Sequence, residues 1–433
     1  MKRYDVAIVG GGILGAAISY FMAFLNPGAD IVLIEREREA ACHASGRNTG
    51  KVHAPYLYDP DKKGLFARAA LAGYSMWREY AHTKELPFRD DGVIEVALDP
   101  GQAATLEKYR RWGIRNGLGE GDMTMLDGRD LRRTEPEVRC HTALVCSRDA
   151  SVDYRALTAH IVQDAVSAGA EFLPGHDATA IAVAGDRVRI TLNRVGALEA
   201  DFVVNAAGGN SMEVAHKMGI ATDYTNVYFR GEYWRAPPAY RSLTSRSVYS
   251  VPSNPRYPFL DPHWIVRVDG SCEVGPNAVP VFSPYGYDAA SNARSMLPKV
   301  MEMLGSGARR TAMDPEFQRM AAKEIRSSLS KRSMIGRVRR FIPRLDPARF
   351  ARRGTAGIRS LAVDAEGAFV PDVMVMEGPH SLHILNYNSP GATGALPFAA
   401  HIIRTAADAG LYRNELEDAA CGPWRYGEVA HAI

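Results

Sequence analysis

The sequence predicts an α/β fold of composite, partly α+β character: a Rossmann-like nucleotide-binding domain assembled from discontinuous segments, joined to a second domain built on a mixed or antiparallel β-sheet. Three observations predict it. The chain opens as strand, glycine turn, helix and strand; apolar runs of the same kind recur far downstream; the stretches between them carry aromatic residues, prolines and short alternating runs. A length of 433 residues permits two domains or one large composite.

Each element has its own signal. Tyr4 to Val9 is a short apolar run rich in β-branched residues, Gly10-Gly11-Gly12-Ile13-Leu14-Gly15 follows, and Ala16 to Leu25 reads as a helix. A second run, Asp30 to Ile34, ends at Glu35, so the opening of the chain is a βαβ unit, whose parallel strands require a right-handed crossover. A helix is expected from Tyr154 to Gly169, a strand from Arg187 to Leu192, and a further strand from Asp201 to Ala206 leading to Gly208. Leu382 to Leu385 then passes through Asn388-Ser389-Pro390-Gly391-Ala392-Thr393-Gly394 into an apolar helix reaching Ala407. The expected division is a nucleotide domain from 1–85, 149–220 and 347–433, and a substrate domain from 86–148 and 221–346, where runs such as Ile265-Val266-Arg267-Val268 suit strands.

Composition excludes several classes. With 46% hydrophobic and 23% charged residues, neither disorder nor a fibrous repeat is indicated. A net charge of +3 without a recognised module gives no support to a nucleic-acid partner. The five cysteines lack CxxC spacing and read as reduced thiols of a cytoplasmic protein. No apolar run reaches the roughly 18 residues of a membrane span. The start, Met1-Lys2-Arg3-Tyr4-Asp5, is better explained as the edge of a strand than as a signal peptide. No zinc-spaced set, Walker loop or nucleophile elbow is present, and no metal is expected.

In Gly10-x-Gly12-x-x-Gly15 the glycines allow a tight turn, close approach of backbone to a pyrophosphate, and close packing of helix on strand. The helix N-terminus then favours the anion. Glu35, about twenty residues on, can accept hydrogen bonds from both ribose hydroxyls and disfavours a phosphorylated ribose. Glycine turns cap many unrelated strands, but the flanking strand, helix and acid together point to dinucleotide binding. NAD and FAD both satisfy the motif.

The segment Ala44-Ser45-Gly46-Arg47-Asn48-Thr49-Gly50-Lys51-Val52-His53-Ala54 resembles the second FAD contact of the D-amino-acid-oxidase-like flavoprotein superfamily, which favours FAD. A plain Gly/Ser surface loop has a similar composition. Further motifs resemble the L-2-hydroxyglutarate oxidase (dehydrogenase) family within it. They are Phe229-Arg230-Gly231-Glu232-Tyr233, Pro258-Phe259-Leu260 with His263, Gly275-Pro276-Asn277-Ala278-Val279, Ala356-Gly357-Ile358-Arg359 and Asn388 to Thr393, in the family's order. The chain departs from that pattern at Lys51, where the family has an apolar residue, at Pro55-Tyr56-Leu57-Tyr58, and at Trp264-Ile265.

The resemblance implies an FAD enzyme that oxidises a small 2-hydroxy acid, similar to L-2-hydroxyglutarate, to its 2-keto acid by hydride transfer to flavin N5. It implies cofactor contacts at Gly10, Gly12, Gly15, Glu35, Ser45, Arg47, Asn48, Thr49, Gly50, Asn388, Ser389, Pro390, Gly391, Ala392 and Thr393. Such chemistry needs a carboxylate clamp and a base. Arg359 is the expected clamp, since a guanidinium pairs bidentately and stays charged; a surface ion pair is the plain alternative. His53 is the expected base and His263 the second candidate, against plain packing or flavin positioning. Tyr56, Tyr58, Arg230 and Tyr233 are candidate contacts to a second substrate carboxylate. Oxygen and a quinone are both open as electron acceptor. Two other readings are an FAD-dependent amine or amino-acid oxidase, of the sarcosine, glycine or D-amino-acid type, and a non-catalytic flavin electron-transfer protein.

From Lys331 to Arg353 the chain is strongly basic, with Ile335, Val338, Phe341, Ile342 and Phe350 interspersed. Segment 331–353 suits peripheral contact with the anionic inner face of a membrane, or else a solvated basic face that steers an anionic substrate. Pro343 and Pro347 argue against one continuous amphipathic helix.

Overall fold

The computed structural model describes residues 1–194, 196–254, 257, 259–411 and 419–433. Pro258 of the Pro258-Phe259-Leu260 motif lies outside the described residues. Strand β1, Lys2–Val9, runs between β2, Ile31–Glu35, and Gly196–Asn205, parallel to both. Glu171–Pro174 extends the parallel set beyond β2, and Ser381–Leu385 extends it beyond the C-terminal half of Gly196–Asn205. Antiparallel strands complete this eight-stranded sheet: Ala178–Ala184 and Arg187–Leu192 fold back on the N-terminal half of Gly196–Asn205, and Met374–Gly378 pairs with Ser381–Leu385.

Period-two alternation decides what each face of this sheet buries. Val6 and Ile8 point into one core, closed by α1, Ile13–Leu25, and by the helices Tyr154–Ser167 and Ala395–Asp408. Ala7 and Val9 point into another, closed by Ile181, Val188 and Ile190 of the antiparallel strands. The central strands are thus covered on both sides, which explains why β2 reads as an unbroken apolar run.

The intervening stretches build a second eight-stranded sheet. Its order is Arg352–Arg353, Trp234–Arg235, Cys272–Gly275, His263–Val266, Ser247–Ser250, Val93–Ala97, Thr142–Cys146 and Met123–Asp127. Every pair is antiparallel except Ser247–Ser250 with Val93–Ala97. The run Ile265 to Val268 is only half a strand, because Gly270, at φ 73°, closes a turn onto the Arg267 carbonyl. A three-stranded sheet places Thr225–Gly231 between Val279–Val281 and Gly357–Val363, and sets Phe229 opposite Arg359.

The basic segment departs from expectation. Lys331–Val338 is a helix, and Met334, Ile335, Val338, Phe341, Ile342 and Phe350 are all buried against Trp264, Val266 and Val274 of the second sheet. Its apolar side is therefore spent on the core and unavailable to a membrane. Several of its cations are paired: Arg344 with Glu137, Arg353 with Glu232, and Arg337 with both Asp261 and Glu324.

One carboxyl group is enclosed in the second sheet. Glu95 lies beside Tyr249 of the neighbouring strand; its Oε2 is 3.5 Å from the Tyr56 hydroxyl, and Oε1 has no hydrogen-bond partner among the described residues. Burial pushes its pKa up to about 8. Between the ordinary value of 4.5 and about 8 the unfolded chain has lost a proton that the folded chain keeps, so this group's contribution to stability declines as pH rises through that window. Glu95→Gln keeps the shape and removes the ionisation. Thermal melts at fixed ionic strength are expected to show the variant gaining on the parent from about pH 5 to about pH 8; an offset independent of pH would contradict this account.

Candidate active site

The glycine turn sits where β1 ends against α1. Gly10 has φ 113°, and a Cβ there would lie 2.5 Å from the Ala206 carbonyl oxygen. A Cβ on Gly15 would lie 1.9 Å from the Gly10 carbonyl oxygen. Both contacts are backbone against side chain, so neither yields by a rotamer change. At Gly12 the nearest atom is Ser45 Oγ, at 3.2 Å, and helix α1 starts with no side-chain cap from that residue. The Ile13 N–H donates to Ser45 Oγ at 2.9 Å, while Glu35 accepts the Gly11 N–H on Oε2 and the Glu37 N–H on Oε1, both at 2.8 Å. Burial raises the Glu35 pKa, and the two N–H groups oppose the rise.

Two cavities meet over this turn, sharing Gly12, Ala44, Ser45, Ala206, Gly208 and Asn388. The smaller, about 150 Å³, is walled by Gly10, Glu35, Arg36 and His43 and roofed by Tyr285 and Tyr287. The roof is a cation and aromatic stack. The His43 ring lies parallel to Tyr287 at 5.8 Å, Arg47 sits 4.2 Å over Tyr287, and Arg36 sits 4.2 Å over Tyr285. Ser283-Pro284-Tyr285-Gly286-Tyr287 was the sequence signal for it, unread because its target is remote in the chain.

The larger cavity, about 280 Å³, takes the remaining small-residue segments: Arg47, Asn48 and Thr49 on one side, Ser389 to Thr393 on another. Asn48 shapes its own turn, donating to the Ser45 carbonyl and accepting the Gly50 N–H, each at 2.8 Å. Arg47 Nε donates to the Cys42 carbonyl at 3.0 Å, which fixes its charge at the cavity edge. Thr393 Oγ1 accepts the His53 N–H at 3.0 Å and contacts the Tyr154 hydroxyl at 3.2 Å. Gly15 and Gly50 stand behind the walls: Gly15 serves helix packing, and Gly50, at φ 72°, lies against the Val152 carbonyl.

His53, His263 and Arg359 all line this larger cavity. Nδ1 of His53 lies 3.3 Å from Oδ2 of Asp149, a fully buried carboxylate that also accepts the Ala54 N–H at 3.4 Å. A carboxylate this close to Nδ1 favours a proton on that nitrogen, with Nε2 as the acceptor. His263 Nδ1 is 3.0 Å from the Asp261 carbonyl, and burial pushes its pKa down to about 3, so it stays neutral at working pH. The Tyr249 ring packs edge-on to His263 at 4.1 Å. Burial lowers the Arg359 pKa, against the pull of Tyr233 and Tyr58, yet a guanidinium stays charged at working pH. Lys51, the departure noted in sequence, is wholly buried at the cavity's rear; its Nζ donates to Ser151 Oγ at 2.6 Å and to Asp91 at 3.2 Å, so its charge is balanced.

Two expected contacts fall elsewhere. Tyr56 turns to Glu95 in an apolar cluster, and Arg230 is spent on Glu232 and the Gly286 carbonyl. Tyr233 lines the cavity, while Tyr58 is buried behind it. Asp149 and the roof tyrosines were not anticipated. Among the described residues no group of three or more His, Cys, Asp or Glu side chains could hold a metal ion.

A two-lobed cavity at the C-terminal ends of parallel strands, with a helix N-terminus at its waist and a carboxylate in one lobe, fits a dinucleotide. Comparison with known proteins agrees. The family model described as FAD dependent oxidoreductase matches residues 5–404. The chain is 30% identical over 415 residues to a mitochondrial L-2-hydroxyglutarate dehydrogenase of Caenorhabditis elegans, covering 94% of each chain. It is 29% identical over 400 residues to the L-2-hydroxyglutarate dehydrogenase of Escherichia coli K12, covering 92% of each. Among solved structures, the FAD-bound L-α-glycerophosphate oxidase of Mycoplasma pneumoniae shares the fold at TM-score 0.72 and 19% identity, covering 93% of this chain and 94% of that one. Glycine oxidase of Geobacillus kaustophilus shares it at TM-score 0.68 and 16% identity, covering 98% and 100%.

The cofactor of this fold is FAD, and the contact at Gly15 gives a direct test. Gly15→Ala drives a methyl group into the Gly10 carbonyl and is expected to push helix and turn apart. The purified variant should carry several-fold less flavin per chain, measured as the visible to ultraviolet absorbance ratio; full flavin content would contradict the packing argument.

Proposed function

The chain belongs to the FAD dependent oxidoreductase family, and on that premise we propose that it oxidises an L-2-hydroxy acid, of the L-2-hydroxyglutarate type, to the corresponding 2-keto acid. The observation that carries the reading is the meeting of Arg359 with His53 and its buried partner Asp149 in one cavity that opens onto the dinucleotide waist. When bound, FAD supplies the acceptor for the hydride that leaves the hydroxyl-bearing carbon. In this reading Glu35 holds the ribose, the Gly12 to Ile13 backbone faces the pyrophosphate, and Ser45 to Thr49 with Asn388 to Thr393 enclose the flavin end.

Arg359 binds the substrate carboxylate and so fixes the reacting carbon. His53 takes the hydroxyl proton on Nε2 as the carbonyl forms, and Asp149 steadies the cation that results. His263, too weak a base to keep a proton near neutrality, is a neutral wall of the cavity, its ring held by the Asp261 carbonyl and Tyr249. Phe229, Phe259 and Leu260 exclude water from the cavity. An amino acid would offer Arg359 the same carboxylate, so the amine reading is an outcome of the substrate test.

Anaerobic mixing with L-2-hydroxyglutarate is expected to bleach the flavin. Reduction by amino acids alone would overturn the substrate while sparing the family. Repeating turnover with oxygen and with a soluble quinone separates the two acceptors.

Two variants test the roles. Arg359→Lys loses the planar fork at a cost of about 1.5–3 kcal/mol, and should raise the half-saturating substrate concentration for flavin reduction roughly ten- to a hundredfold. Asp149→Asn should slow the reduction step itself by about a hundredfold with little change in that concentration. An Asp149→Asn enzyme that reduces at the parent rate would remove His53 as the base.

A further inference from the structure

Lys51 is a wholly buried cation with no part in the oxidation as written above. It stands on the short strand Lys51–Val52, which pairs antiparallel with Ala150–Val152, and Phe88–Arg89 pairs with the other edge of that strand. The register sets Lys51 opposite Ser151 and Val52 opposite Ala150, so the next step of the ladder sets His53 opposite Asp149. Alternation then puts the pairs Lys51–Ser151 and His53–Asp149 on one face, two residues or about 7 Å apart along the strand.

The ammonium ties three pieces of chain together beside that pair. Its Nζ donates to both carboxylate oxygens of Asp91 at 3.2 Å and to Ser151 Oγ at 2.6 Å, and Ser151 Oγ lies 2.8 Å from Asp91 Oδ2. The Gly92 N–H, one residue beyond Asp91, donates to the Asp149 carbonyl at 2.9 Å. The turn that carries Asp91 therefore also holds the backbone of the partner of His53. Water does not dilute these charges, since the side chains of Lys51, Asp91 and Asp149 are at most 2% exposed. An ion pair so enclosed cannot lose one member without leaving the charge of the other to act on its neighbours.

Those neighbours are mostly neutral. Tyr56, Tyr58, Tyr154 and Tyr249 surround Asp149, and burial raises the pKa of each. Burial also pushes Cys146 up to about 12 and His263 down to about 3, and Glu95 keeps its proton up to about 8. Arg148 is turned onto the Tyr74 ring at 4.6 Å, Arg89 lies 3.8 Å from Asp91 with a partly exposed side chain, and Arg359 stands among the cavity walls. The charges enclosed with the His53–Asp149 pair are accordingly Lys51 and Asp91, of opposite sign. Burial raises the Asp91 pKa, and Lys51 with Ser151 opposes the rise.

We propose that Lys51 and Asp91 are positioning residues that act through Asp149: the ammonium braces the strand pair that sets His53 against its carboxylate, and Asp91 cancels the field of the ammonium so that His53 keeps its affinity for a proton. An uncancelled cation at about 7 Å would oppose the imidazolium and weaken the base. The charge balance belongs to the folded protein, and its catalytic consequence rests on the reading of His53 as the base.

Titration of the His53 ring tests this without turnover. In holoenzyme isotopically labelled at histidine, the His53 resonance is the one lost in His53→Gln. Asp91→Asn keeps the shape of the side chain and leaves the ammonium uncancelled, and the midpoint of the His53 titration is expected to fall by about one pH unit. Adding Lys51→Met removes the cation, so the double variant should return the midpoint to that of the parent. The rate of flavin reduction, followed over the same pH range, should move down and back in step, with the half-saturating substrate concentration unchanged. An Asp91→Asn midpoint equal to that of the parent would overturn the proposal. So would one that stays displaced in the double variant, because a packing defect, unlike a charge, is not repaired by removing a second side chain. A ring that titrates as expected while flavin reduction ignores it would support the charge balance and overturn His53 as the base.

Discussion

The structure turns on a contact in which no side chain takes part. The backbone at Gly15 lies so close to the Gly10 carbonyl, and Gly10 so close to the Ala206 carbonyl, that a single methyl group at either place would overlap an oxygen. That closeness draws α1 onto β1 and brings the end of Gly196–Asn205 beside them. The helix end, the Glu35 carboxylate and the Ser45 hydroxyl then converge on one point at the strand ends. Both cavities open from it. The larger cavity is laid out from the same origin, because His53 is reached through the chain that leaves Ser45.

Much of this sheet was legible because its signals are local. Tyr4 to Val9, the glycine turn, the run to Glu35 and the block at Asp201 to Ala206 each announce themselves within a few residues, and parallel order follows from the handed crossover. The second sheet was legible as a class and not as an arrangement. Ser247–Ser250 lies parallel beside Val93–Ala97, a pairing across more than half of a large domain's chain that leaves no short-range mark. The basic segment shows the same limit. Its alternation of cations and apolar residues describes an amphipathic strip, and nothing in the strip says whether its apolar side meets lipid or the back of Trp264.

The site divides in the same way. His53, His263 and Arg359 stood out because each lies in a motif that resembles the family. Asp149 did not, since an aspartate between Arg148 and Ala150 is ordinary until the fold sets it 3.3 Å from an imidazole. Lys51 was noticed as an oddity; its meaning lay in Asp91 and Ser151, which neutralise it. Tyr56 and Arg230 were plausible by residue type and are occupied elsewhere by nearer partners. Residue chemistry names the candidates, and the fold decides which of them face the cavity.

The hydroxyl of Thr393 joins segments that are synthesised far apart. It takes the His53 amide from the first quarter of the chain, meets Tyr154 from the middle, and itself belongs to the turn that follows Ser381–Leu385. The wall of the larger cavity therefore closes only when segments 340 residues apart in the chain have come together, a contact whose loop-closure entropy the rest of the fold must offset.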